Sequence, residues 1–164
     1  MMTIESTPHE VVEAADSKPH PRVVAVWRIA ALIWAAIFAA ACVTATLLAE
    51  ISALWALAPT LLAVALALYT PGARWRAWSY RVGEIDLRLA RGVLWRTESV
   101  VLHARIQHVD TRQGPVERMF GLASVVVYTA GSVGAMVSIP GLVAADAEAL
   151  RDRLAALSGT EDAL

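Results

Sequence analysis

The chain has 164 residues, of which 57% are hydrophobic, and a formal net charge of −1 at pH 7. A near-neutral chain without a stripe of Lys and Arg does not fit a nucleic-acid-binding protein. Its single cysteine, Cys42, excludes an intramolecular disulfide, and its position inside an apolar stretch indicates a packing residue rather than a reactive thiolate.

The N-terminal segment is acidic and contains three prolines but few large apolar residues. This composition predicts a disordered leader over residues 1–25. A signal peptide is not expected here, because the basic n-region is missing and the apolar region that follows is too long. The carboxylates of this segment are Glu5, Glu10, Glu13 and Asp16.

Two apolar runs, residues 29–49 and 51–70, contain no charged residue and are separated only by Glu50. A helix of about 20 residues spans ~30 Å, which is the thickness of bilayer hydrocarbon. A soluble helical hairpin would show a polar stripe at helical spacing, and none is present. The sequence therefore predicts a two-helix transmembrane hairpin over residues 26–71.

The cations near the spans predict their orientation, since Lys and Arg at span ends stay on the cytoplasmic side. They lie before the first span and after the second, so we expect both termini in the cytoplasm, a two-span protein of the cell membrane, and Glu50 outside. Trp27, Trp75 and Trp78 are expected to form an interfacial belt. The cations are Lys18, Arg22, Arg28, Arg74, Arg76 and Arg81.

The spans themselves suggest assembly more than transport. Neither apolar core holds an Asp, Glu, Lys, Arg or His, the residue types that mark ion and proton pathways. Small residues crowd the first span and permit close helix approach, either by the second span or by another copy of the chain. They include Ala35, Ala36, Ala39, Ala40 and Ala41.

From Ala77 onward, short segments of period two alternate with glycines, which is typical of strands joined by turns. A folded domain is expected over residues 77–158, followed by a short tail, 159–164. Six or seven strands are predicted, at 79–82, 85–90, 93–98, 106–113, 123–129 and 135–139. Gly131 and Gly134 are expected to support a hairpin turn between the last two of these strands.

Two helices are predicted within this domain. Gly114 and Pro115 begin a helix of one or two turns, and Gly121 ends it. An amphipathic helix over residues 143–157 has acidic residues in its early turns and Arg151 and Arg153 later, as its dipole favours. This second helix is expected to cover one open end of the sheet.

Several motifs resemble a known family. They are Arg105-Ile106-Gln107-His108-Val109, Gln113-Gly114-Pro115-Val116-Glu117-Arg118-Met119-Phe120-Gly121-Leu122-Ala123, Thr129-Ala130-Gly131 and Ile139-Pro140-Gly141-Leu142. In order and spacing they look like the bacterial pleckstrin-homology-like (bPH type 2) domain membrane proteins of the YdbS-like family. The resemblance covers residues 80–157.

The resemblance implies a membrane helical hairpin followed by a mainly-β (α+β) PH-like domain. That domain would be a curved antiparallel sheet of about seven strands closed by the C-terminal helix. The resemblance implies no activity, because the family is largely uncharacterised and a fold does not specify a function.

The central motif supplies the candidate partner-binding surface. Its polar residues either lock the loop, through pairing of Glu117 and Arg118 with each other or with Arg105 and Asp110, or contact a partner. The candidate residues are Arg105, Gln107, His108, Arg112, Gln113, Glu117 and Arg118.

Catalytic and metal chemistry is not predicted. The sequence offers no nucleophile with a base and no phosphate-cradling glycine loop. His103 and His108 supply at most two metal ligands. We therefore expect a non-catalytic protein with no cofactor and no metal.

Two functions stay open. The first is a protein-interaction or assembly module at the cytoplasmic membrane face, which binds a protein partner or forms homo- or hetero-oligomers, for example by strand addition. The alternative is recognition of anionic lipid headgroups by Arg74, Arg76 and Arg81. From residue 72 onward the chain has eleven arginines and ten carboxylates, so a strong basic excess is missing.

Overall fold

The structure of the protein is a computed structural model that describes residues 16–52, 54–130 and 136–159. A helical hairpin is followed by two antiparallel sheets and a C-terminal helix. The elements are α1 (Val23–Leu48), α2 (Leu54–Arg76), β1 (Ser79–Val82), β2 (Asp86–Arg91), β3 (Thr97–Leu102), a 3₁₀ turn (His103–Arg105), β4 (Ile106–Arg112), α3 (Pro115–Met119), β5 (Leu122–Thr129), β6 (Met136–Val143) and α4 (Ala144–Gly159).

The hairpin of α1 and α2 lies where the two spans are predicted, and both helices are long and apolar enough to cross a bilayer. The helices turn at Glu50, whose φ of 53° is left-handed. Buried alanines form the contact between the helices, as small residues allow close approach. Trp34 and Trp55 are 71% and 75% exposed and are available to lipid.

Both helices continue past the apolar runs at the end near the domain. α1 begins at Val23, before the first run, and α2 extends to Arg76, beyond the second. These extensions lie outside the charge-free runs and carry contacts with the domain. Val23, Val26 and Leu122 form a small buried cluster, against which pack Val116 of α3 and Phe120, the residue that follows α3.

The first sheet is an antiparallel meander of β1, β2 and β3. Leu87, Leu89 and Val101 point inward from its buried face. The predicted third strand is wrong in its position, because β3 begins at Thr97 and not at Val93. Gly92, at φ +113°, turns the chain so sharply that a Cβ there would lie 1.8 Å from the carbonyl oxygen of Trp95.

The second sheet has the order β4, β5, β6, and α4 packs across it. Val125, Val127 and Ile139 are fully buried beneath Leu154 of α4, so the predicted closing helix is confirmed. The expected single curved sheet of about seven strands is not confirmed, since the described residues form six strands in two sheets. The predicted Gly131–Gly134 turn lies outside the described residues.

The separation between the sheets has a local cause. After β3 the chain enters the 3₁₀ turn His103–Arg105 instead of continuing as a strand. The His103 side chain is only 3% exposed, and its Nε2 lies 3.1 Å from the carbonyl oxygen of Gly83. This buried contact holds the turn against the end of the first sheet, and no pairing of β3 with β4 is present in the described strands.

Residues 16–20 form a strap that ties the hairpin to the domain, although the composition suggested disorder there. Ser17 pairs with Tyr80 through two backbone hydrogen bonds of 2.8 and 2.9 Å. The Pro19 carbonyl accepts a hydrogen bond from Trp75 Nε1 at 2.8 Å, and the His20 amide donates to the Gly141 carbonyl at 2.7 Å. The leader before residue 16 lies outside the described residues.

The predicted interfacial belt of three tryptophans is not what the structure shows. Trp78 is 2% exposed and belongs to the core of the domain. Trp27 and Trp75 are half-buried and lie where the hairpin meets the domain. The indoles therefore help to fix the domain against the helices. A hydropathy pattern cannot distinguish tryptophans in this packing role from tryptophans that lie among lipid headgroups.

Candidate functional site

The predicted partner-binding residues do not form one surface. Arg105 ends the 3₁₀ turn before β4, whereas Arg118 lies on α3, after the other end of β4. A seven-residue strand spans ~20 Å, so the two arginines stand at opposite ends of it. Both side chains are exposed, as is Gln107.

Glu117 and Gln113 hold the chain together locally. Glu117 accepts a hydrogen bond from the Gly114 amide at 2.8 Å and another from Ser124 Oγ at 2.7 Å. Gln113 Nε2 donates to the Leu122 carbonyl at 2.8 Å. Glu117 thus caps α3 and pins it to β5, a loop lock of the kind predicted but made with different partners.

The remaining predicted residues follow the outer face of β4. His108 Nε2 lies 2.6 Å from Asp110 Oδ1, and Arg112 donates a hydrogen bond to the Tyr128 hydroxyl. His108, Asp110 and Arg112 alternate along the strand, so they form a polar row on one face. These contacts engage the row with itself and with Tyr128 of β5.

Arg74, Arg76 and Arg81, the predicted lipid contacts, are also separated. Arg81 donates to Asp16 at 2.9 Å across the strap. Arg76 is exposed at the last residue of α2. Arg74 alone lines a cleft where the hairpin meets the first sheet.

This junction cleft is formed by described residues and has a volume of about 580 Å³. One wall comes from α1 and α2, at the end of the hairpin near the domain. The other wall comes from the end of β2, the turn after it and the start of β3. The lining residues are Trp27, Ala31, Thr70, Pro71, Arg74, Trp78, Arg91, Gly92, Val93 and Thr97.

The cleft combines cationic and apolar chemistry. Arg74 and Arg91 are its two charged lining residues, and no carboxylate belongs to the lining. The guanidinium carbon of Arg74 lies 4.6 Å from the Trp27 ring centroid, a cation–π contact that orients the group without neutralising it. An anion with an apolar tail fits such a lining.

Arg91 is the residue that sequence reasoning missed. It stands at the end of β2, directly before Gly92. Its role depends on α2 lying across the cleft, which requires long-range packing that local patterns do not reveal. The available signal was the pair Arg91 and Arg96, which flanks the apolar triplet Val93-Leu94-Trp95.

Acid–base or metal chemistry finds no assembled site in the described part of the chain. No group of three His, Cys, Asp or Glu side chains there is placed to hold a metal ion. Burial raises the pKa of Tyr80 above its ordinary value, and the Ser17 hydrogen bond opposes this only in part. The Tyr80 phenol therefore stays neutral near pH 7 and serves packing.

Comparison with known proteins identifies relatives of the whole arrangement. The family profile described as Bacterial PH domain matches residues 21–158. The chain is 37% identical over 92 residues to the UPF0699 transmembrane protein YdbS of Bacillus subtilis (strain 168). That alignment covers 56% of this chain and 56% of the relative, so the chain spans about half of the relative's length. No solved structure matches the chain.

Proposed function

The chain belongs to the bacterial PH domain family, is a membrane protein with two candidate spans, and on that premise we propose that its domain recognises anionic lipid headgroups in the junction cleft. The proposed protein is non-catalytic and holds this domain at the cytoplasmic face of the cell membrane, with both termini in the cytoplasm. The distribution of Lys and Arg around the spans supports that orientation.

The observation that carries the proposal is the composition and depth of the cleft. Ala31 and Thr70 belong to the charge-free runs of the two spans, and both line the cleft together with Arg74 and Arg91. The cleft therefore begins at the edge of the apolar layer and opens toward the domain. A phospholipid phosphate sits at this depth in a bilayer.

The chemistry of the lining suits a lipid phosphate. Guanidinium groups present planar donors that match phosphate oxygens, and they are less strongly hydrated than ammonium groups. The half-buried Trp27 supplies apolar surface beside them, so the glycerol and upper acyl carbons would lie against its ring. One basic residue near an anionic surface contributes ~1 kcal/mol, so selectivity would require Arg74 and Arg91 to act together.

The substitution Arg91→Gln tests the proposal, because it removes one cation of the cleft and leaves the helices intact. Full-length protein in mild detergent would be mixed with phosphatidylglycerol or phosphatidylcholine, and bound lipid counted by native mass spectrometry. We expect the wild-type protein to prefer phosphatidylglycerol, and the variant to lose about fivefold in affinity, because one basic residue near an anionic surface contributes ~1 kcal/mol.

Arg88→Gln is the matched control. Arg88 is exposed on the other face of β2 and pairs with Asp86 at 2.9 Å, so its removal should leave lipid binding unchanged. Equal retention of both lipids by the wild-type protein, or equal losses in the two variants, would contradict headgroup recognition in the cleft.

Protein docking or self-assembly is the second candidate, and the α3 surface favours it. Met119 is 83% exposed beside the exposed Arg118, on a helix whose other side packs against α1. An exposed methionine next to a cation suits a protein partner. Recovery of a stoichiometric protein or a homo-oligomer in the same native mass spectra, without selective lipid, would favour this function.

A further inference from the structure

The turn between β2 and β3 exposes three consecutive large apolar side chains. Val93, Leu94 and Trp95 are 54%, 85% and 81% exposed. Runs of this kind are unfavourable on a water-exposed turn and mark a surface that meets another apolar phase. They do not contribute to the domain core, whose members come from the strands and α4.

The backbone fixes this turn. Gly92 adopts φ +113°, and the space that a Cβ would need is taken by the carbonyl group of Trp95. Arg96 is held by Glu98 at 2.9 Å on the strand that follows. The apolar residues thus project from a closed turn with a guanidinium at each end, Arg91 before it and Arg96 after it.

The position of the turn beside the two helices indicates which apolar phase it contacts. Gly92 and Val93 line the junction cleft opposite Ala31 and Thr70, which lie inside the two charge-free runs. The start of the turn is therefore level with the edge of the apolar layer. Leu94 and Trp95 directly follow Val93 in this turn, so the lipid surface around the hairpin is the apolar phase nearest to them.

We infer that Val93, Leu94 and Trp95 insert into the interfacial layer of the bilayer that the hairpin crosses, and form a third membrane contact. Trp favours this depth, and flanking cations can reach lipid phosphates while apolar side chains enter the acyl boundary. The insertion needs no selective headgroup binding and goes beyond the proposed function. The insertion would hold the first sheet against the membrane. It would also fix the distance between the two walls of the junction cleft.

A site-specific probe tests the insertion. Leu94→Cys in a Cys42→Ala background would be labelled with a nitrobenzoxadiazole dye in full-length protein reconstituted into phosphatidylcholine vesicles. Lipids with a nitroxide near the top of the acyl chain should quench it. Ile85→Cys is the control, since Ile85 is 69% exposed but precedes the other end of β2.

We expect the Leu94 probe to be quenched at least about threefold more than the Ile85 probe, as an interfacial depth requires. Stronger quenching of a probe at Trp95→Cys than of the Ile85 probe would support the inference at a second position. Quenching at Leu94 no greater than at Ile85 would overturn it. Disulfide-linked dimers formed through unlabelled Leu94→Cys, with no lipid quenching of the labelled protein, would overturn it in favour of a second copy of the chain.

Discussion

Replacing Gly141 with alanine should separate the domain from the hairpin. Gly141 lies at φ +68°, and a Cβ there would be 2.4 Å from Cγ2 and 2.5 Å from Cβ of Val23, a fully buried residue at the start of α1. Left-handed backbone costs an L-residue about 1–2 kcal/mol, and overpacking a buried contact costs about 1–3 kcal/mol more. We expect Gly141→Ala to destabilise the full-length protein by about 2–5 kcal/mol.

The measurement is the unfolding midpoint of the full-length protein in detergent, combined with protease cleavage between α2 and β1. Gly121→Ala is the matched control, because Gly121 has nearly the same φ of +65° and nothing within 4 Å of an added Cβ. Gly121→Ala should show only the free-energy cost of placing an L-residue at a positive φ. Equal midpoints for the two variants would mean that Val23 and Gly141 are not in contact.

Glu117→Gln should weaken the fold around α3 and not act through a partner. The carboxylate accepts two hydrogen bonds, from the Gly114 amide and the Ser124 hydroxyl, and an amide offers only one oxygen in return. Charge-assisted hydrogen bonds contribute about 1.5–3 kcal/mol, so we expect a loss of about 2 kcal/mol. Hydrogen exchange at the start of β5 should also increase.

Glu98→Gln provides the comparison for a surface carboxylate. Glu98 pairs with Arg96 at 2.9 Å, but both side chains are largely exposed, and such pairs contribute about 0–1 kcal/mol. The contrary result would be a loss of stability in Glu117→Gln no larger than in Glu98→Gln, together with failure of the Glu117→Gln protein to recover a protein partner. Glu117 would then belong to a binding surface, and its assignment as a residue that stabilises α3 would be wrong.

Features that local chemistry decides were predictable from the sequence. Charge-free runs of bilayer length predict the hairpin, and alternating side chains predict β1 and β2. The Gly114-Pro115 start and Gly121 stop of α3 are confirmed, because proline suits the first helical position and Gly121 has a positive φ. The family resemblance is confirmed by the profile match over residues 21–158.

Features that depend on long-range contacts were not predictable. The alternation of Val93 to Glu98 suited a strand, yet the turn at Gly92 removes Val93 to Trp95 from the sheet. Residues 16–20 look disordered by composition, but Tyr80, Trp75 and Gly141 supply their partners from distant parts of the chain. Arg91 enters the candidate site for the same reason, since only packing of the domain on α2 creates the cleft.

The strap, the Val23–Gly141 contact and the proposed turn insertion have one shared consequence. Each would hold the domain against the end of the hairpin, which would keep the junction cleft beside the charge-free runs of the two helices. A headgroup site at this place would bind lipids of the same membrane that contains the protein. On the proposed function, a domain with nearly balanced charge would select an anionic lipid through Arg74 and Arg91, the two arginines that line the junction cleft.

Site-specific photocrosslinking inside the cleft tests headgroup recognition most directly. A benzophenone amino acid would replace Thr97, which lines the cleft, in full-length protein in nanodiscs that contain phosphatidylglycerol and phosphatidylcholine. A probe at Trp34, which is exposed on the span, is the positive reference. A probe at Val100, which is exposed on β3 outside the cleft lining, is the negative reference. We predict phosphatidylglycerol adducts at Thr97 and mixed lipid adducts at Trp34. Thr97 adducts no more frequent than those at Val100, with normal labelling at Trp34, would contradict a lipid site in the junction cleft.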